Sequence, residues 1–163
     1  MKNGSMWYDD QGNPIQAHGG MILRHGEKWY WYGENKDGPT KIIPGELNRV
    51  DVIGISCYSS DDLTNWHYEG LALRTMETGM LRRENVCERP KVIYNRKTGK
   101  FVMWFHCDTP DYVYGGVGVA VSDTPVGPFE LKYTGRPNRQ DSRDMTLFQD
   151  TDGTAWLVHS TNW

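Results

Sequence analysis

The sequence predicts an all-β molecule built from the blades of a β-propeller, and three observations lead there. An apolar strand, a tight turn carrying Gly and a second apolar strand recur over residues 21–32, 91–104 and 146–158. Alternating, β-branched and aromatic runs fill the chain between these copies, whereas no segment of useful length has helical periodicity. A polar cluster also marks each copy, where the inner strand of a blade would lie near the central axis.

The first inner hairpin turns at Gly26 and is followed by a Gly/Pro-bearing insertion around residues 36–50. An outer hairpin then runs from 54–60 into 66–73 across the turn cluster Asp61-Asp-Leu-Thr-Asn65. The second inner hairpin turns at Gly99, and its outer partner runs from 117–122 into 129–133 across Asp123-Thr-Pro-Val-Gly-Pro128. The third turns at Gly153. Two hairpins make a four-stranded blade, so blades are expected over 19–73 and 89–133, with a partial third over 144–163, all in one incomplete domain spanning 1–163. A closed ring needs about four to eight blades. The chain therefore reads as part of a larger propeller, or as a unit whose exposed blade edge joins a second copy into a homo-oligomer.

The 163 residues suffice for a sizeable core. Net charge is -3 with both signs interspersed, which argues against nucleic acid and anionic membranes as partners. No apolar run reaches the roughly 18 residues of a membrane span, and Met1-Lys-Asn-Gly-Ser5 lacks the apolar segment of a signal peptide. Cys57, Cys87 and Cys107 are odd in number and not spaced as metal ligands, so buried thiols are expected. The histidines show no paired metal-ligand spacing, and no Gly-rich phosphate loop or G-x-S-x-G elbow occurs. No metal and no cofactor is expected. The many Trp and Tyr residues suit a strand core and also the apolar faces of sugar rings.

Three carboxylates occupy corresponding places at the edges of inner strands: Glu34 after the first, Glu88 before the second and Asp144 before the third. Matched positions on successive blades converge on the axis. Glu88 and Asp144 are thus expected to share one cleft, with Glu34, Arg89 and His18 on its rim. Arg89 and Arg143, each beside one of that pair, are expected to hold the carboxylates ionised. Solvated turn residues or structural ion pairs would give the same pattern. Tyr112 lies in the Asp111-Tyr-Val-Tyr114 connector, where a loop aromatic packs on its neighbour. His18 is either axial or bonded to local backbone, and His106 reads as structural.

These stretches resemble glycoside hydrolase family 43, the five-bladed-propeller glycosidases, and within it the exo-β-1,3-galactanase and galactosidase-like branch. The matching segments are Gly12-Asn-Pro-Ile-Gln-Ala-His-Gly-Gly20, Trp29-Tyr-Trp-Tyr-Gly-Glu-Asn-Lys36, Glu88-Arg-Pro-Lys-Val-Ile-Tyr94 and Asp141-Ser-Arg-Asp-Met-Thr-Leu-Phe148. Each is weak alone; together they span nearly the whole chain. The resemblance implies an inverting, exo-acting hydrolase of β-1,3-galactan or arabinogalactan side chains, and an extracellular or periplasmic location. Arabinofuranosidase, galactofuranosidase and xylosidase activities in the same family are alternatives. So is a non-catalytic sugar-binding propeller.

By resemblance Asp144 stands where the family tunes its acid, and Glu88 where the galactanase branch carries a Glu that holds substrate hydroxyls and is needed for activity. These two are the catalytic candidates, and Tyr112 is placed to stack on or bond the sugar. Glu34, His18, Arg89, Tyr112 and Arg143 are the accompanying substrate-binding candidates. The family's base position falls within Gln16-Ala-His18, which offers no carboxylate, so the base stays unassigned. The proton-donating Glu is expected after the third blade, beyond Trp163. On that expectation, residues 1–163 alone hydrolyse substrate only near background.

Overall fold

A computed structural model describes residues 3–42 and 49–161. The first sheet contains β1 (His18–His25) and β2 (Lys28–Glu34). A two-stranded ribbon, β3 (Thr40–Lys41) with β4 (Arg49–Val50), leaves the insertion before the sheet resumes with β5 (Gly54–Ser60) and β6 (His67–Arg74). The order β1-β2-β5-β6 is antiparallel throughout. The second sheet repeats that plan with β7 (Val86–Asn95), β8 (Lys100–Asp108), β9 (Gly116–Ser122) and β10 (Glu130–Gly135). A last hairpin pairs β11 (Met145–Gln149) with β12 (Ala155–His159). Part of the insertion, residues 43–48, lies outside the described residues. Helix is limited, among the described residues, to single 3-10 turns at Gly79–Leu81 and Pro137–Arg139.

The three first strands stand side by side, β1 against β7 and β7 against β11, as inner strands around an axis do. This is a partial β-propeller, two four-stranded blades and the inner hairpin of a third.

The core lies between the first two blades. Tyr32, Ile55, Cys57 and Ala72 meet Val92, Met103, Phe105, Cys107, Ala120 and Phe129 across it. Phe105 is fully buried, worth about 1.5–3 kcal/mol for such a side chain. Its ring fills the place where Gly118 has no side chain: a Cβ there would lie 2.1 Å from the Phe105 ring. Tyr32 crosses the interface and donates its hydroxyl to the Pro125 carbonyl at 2.6 Å, so its one polar atom is satisfied inside the core. All three cysteines are buried free thiols, and burial pushes Cys107 up to about 12.

The turn residues act as their chemistry dictates. Asp62 accepts from the backbone N–H groups of Asn65 and Thr64, both at 2.8 Å, and these bonds lower its carboxyl to about 2. Trp66, which follows, is buried edge-on to Trp31, and Trp31 in turn meets Trp7 from the segment preceding β1.

Candidate active site

The inner strands β1 and β7 are each interrupted at the same height. Pairing of β1 with β2 shifts by one residue between His18 and Met21, and pairing of β7 with β8 shifts between Glu88 and Lys91. A bulge re-aims the side chains beside it. Left-handed residues make the two bends, Gly19 (φ 58) in the first and Arg89 (φ 54) in the second. For a non-glycine residue that conformation costs about 1–2 kcal/mol.

Contacts across the seam and within the bend itself offset this cost. The Arg89 N–H donates to Glu34 Oε1 at 3.2 Å, and Lys91 Nζ donates to the carbonyls of Arg89 (3.1 Å), Gly19 (3.2 Å) and Pro90 (3.3 Å). Glu34 Oε1 also lies 3.0 Å from where a Gly19 Cβ would stand, so glycine makes room for the carboxylate. Burial, and then the charge of Arg89, bring the Lys91 ammonium down from 10.5 to about 8.

Glu88 is held from three sides. Tyr112 donates its hydroxyl to Oε1 at 2.8 Å, His106 Nδ1 faces Oε2 at 3.4 Å, and Lys36 Nζ lies 4.0 Å from Oε1. Burial pushes this carboxyl up, but the bonds from His106 and Tyr112 and the nearby positive charge outweigh it and hold Glu88 below the ordinary glutamate value. Tyr112 moves oppositely: burial and donation to a carboxylate push its phenol well up. Lys36 also meets Glu34 Oε2 at 2.5 Å, bridging carboxylates of two blades. Asp144, whose side chain is 69% exposed, pairs with Arg89 Nε at 2.5 Å.

The expected residues therefore gather at one seam, with differences in who holds whom. Arg89 and Arg143 do not hold Glu88. Arg89 bends away in its left-handed conformation and reaches Asp144, while Arg143 donates to Asp108 Oδ2 (3.1 Å) and the Tyr112 carbonyl (2.6 Å). Glu88 and Asp144 are linked through Arg89, the backbone neighbour of one and the ion-pair partner of the other. Glu34 is buried beneath the rim, not on it, with a side chain only 5% exposed, whereas His18 is on the rim, 3.5 Å from Glu34 Oε2. Tyr112 spends its hydroxyl on Glu88 and keeps an exposed ring beside His106.

Lys36, His106 and Asp108 were not among the expected site residues. Lys36 stands two positions beyond Glu34 in a polar run, where a sequence shows a charge but not its aim.

The profile of the glycosyl hydrolases of family 43 matches residues 11–163. The chain belongs to glycosyl hydrolase family 43. Among solved members, a family 43 β-1,3-galactosidase is 40% identical with a TM-score of 0.88, covering 99% of this chain and 33% of its own. The exo-β-1,3-galactanase of Phanerochaete chrysosporium with galactose is 42% identical, TM-score 0.88, over 98% of this chain and 36% of its own. That of Clostridium thermocellum is 37% identical, TM-score 0.85, over 99% of this chain and 35% of its own. This family 43 chain thus spans about a third of the length of these relatives. No curated protein matches it.

Proposed function

We propose that residues 1–163 form one partial propeller domain, with blades over 19–73, 89–133 and 144–163, that carries the sugar-holding side of an inverting, exo-acting glycosidase of β-1,3-galactan or arabinogalactan side chains. The observation that carries this reading is Glu88, an ionised carboxylate gripped at the axial seam of a chain alike along its length to exo-β-1,3-galactanases. An ionised carboxylate accepts hydrogen bonds, which suits sugar hydroxyls; it cannot donate the proton a leaving oxygen needs. Glu88 accordingly binds and orients the terminal sugar, and the exposed ring of Tyr112 covers one of its faces.

Asp144, tied to Arg89, orients and tunes the proton donor, which this reading assigns to a further blade of the whole propeller. Inverting chemistry sets donor and base about 6.5–9.5 Å apart with water between them. His18 and Arg89 line the rim, and Glu34 and Arg143 support it from below.

Calorimetry with galactose and β-1,3-galactotriose tests the reading, with arabinose and xylose alongside. Galactose is expected to bind, and Glu88→Gln, which keeps the shape but loses the charge, is expected to bind it about tenfold more weakly. Preference for xylose or arabinose would transfer the chain to another activity of the family. Equal binding by native protein and Glu88→Gln would remove Glu88 from the site.

A further inference from the structure

Behind Glu88 lie two buried polar residues, His106 and Asp108, that the sugar reading does not use. Asp108 is fully buried on β8 and is surrounded by donors. Its Oδ2 meets His106 Nε2 at 2.9 Å and Arg143 Nη1 at 3.1 Å, and its Oδ1 accepts the Thr109 N–H at 2.8 Å. A guanidinium and a backbone N–H can only donate, so both Asp108 oxygens are acceptors and His106 Nε2 must carry a proton. The other ring nitrogen, Nδ1, then faces Glu88 Oε2, while Glu88 Oε1 accepts from Tyr112.

Were Nδ1 and Oε2 both bare, two lone pairs would meet inside a pocket where His106 is 2% exposed, an arrangement that buried polar groups avoid. A proton at that contact, 3.4 Å across, relieves the clash. Tyr112 donates to Glu88 Oε1 and Lys36 Nζ lies 4.0 Å from it, both favouring a charged carboxylate, which puts the proton on the histidine.

We propose that His106, anchored by Asp108 and Arg143, is a positioning residue for Glu88: it carries the proton at the Glu88 Oε2 contact and so fixes that carboxylate in its charged, Tyr112-facing orientation. That Glu88 then holds a sugar rests on the glycosidase reading; the proton's location does not. The anchor also spans two blades, since Arg143 precedes β11 whereas Asp108 and His106 belong to β8. The segment leading into the third hairpin thereby steadies a carboxylate of the second sheet.

Nitrogen NMR of labelled histidine in the free protein at neutral pH tests this directly. Both ring nitrogens of His106 are expected to bear protons, and in Glu88→Gln Nδ1 is expected to become bare while Nε2 keeps its proton. A bare Nδ1 in the native protein overturns the proposal. Galactose affinity gives the second arm: His106→Gln, with folding checked by thermal unfolding, is expected to bind about tenfold more weakly. Unchanged affinity in that variant overturns the positioning role. If the native protein binds no galactose, the sugar reading falls, and the proton on Nδ1 alone decides the proposal.

Discussion

Lys91 illustrates how much one side chain contributes at the seam. It lies on the inner strand of the second blade, yet one of the three carbonyls it binds, that of Gly19, belongs to the first. Burial and the nearby Arg89 charge disfavour its ammonium, lowering its folded value from 10.5 to about 8. Between those values the unfolded chain binds more protons than the folded one, so stability attributable to Lys91 rises with pH through this window. Below about 8 both states are protonated and the penalty of the buried charge is felt in full. Urea unfolding of native protein and Lys91→Met, compared near pH 7 and near pH 10, is expected to shift in favour of the native protein at the higher pH. A shift the other way would contradict the buried-cation account.

At the scale of the element, the paired bulges of β1 and β7 decide which residues meet. Counted back from its turn, the β7–β8 hairpin runs in register from Asn95 opposite Lys100 to Lys91 opposite Trp104. Continued unbroken, that register would set Cys107 opposite Glu88. The bulge slips it by one and brings His106 there instead. The β1–β2 hairpin slips equally, so that His18 faces Glu34 where Asn35 would otherwise stand. Each blade thus builds a histidine–glutamate pair, with the strands that supply them exchanged.

This explains what was legible in the sequence. The hairpins were, because alternation and turn residues are local. Glu88, Asp144 and their shared seam were, because the repeat puts them at matched positions. The partners of Glu88 were not, because a one-residue slip inside a strand leaves no turn or spacing to mark it. Arg89 in a glycine-like conformation was the available trace, and it becomes visible only once φ is known. Arg89→Gly is expected to leave stability unchanged or raise it by about 1 kcal/mol, since relief of the left-handed backbone opposes loss of one exposed ion pair. The same variant frees Asp144 and is expected to weaken galactose binding. Measured denaturation and affinity moving down together would mean that the bend is not strained.

For the molecule as a whole, the last hairpin presents an unfinished surface. Phe148, Trp156 and Val158 are each more than half exposed, and among the described residues β12 pairs only with β11. A free strand edge beside apolar side chains invites another chain to pair with it. Self-association of residues 1–163 is therefore expected in light scattering across a dilution series, and Trp156→Lys with Val158→Lys is expected to shift it toward monomer. A native protein that stays monomeric throughout would show that this surface does not drive association. The same hairpin also reaches back to the seam, and it does so through crossed ties. Arg143, just before the third hairpin, steadies Glu88 of the second sheet through Asp108 and His106, while Arg89 of the second sheet holds Asp144 at the entry to the third. The two ties run in opposite directions across one seam, one through the buried Asp108 and one through an exposed ion pair, so together they brace the second and third sheets against shear as crossed struts brace a frame.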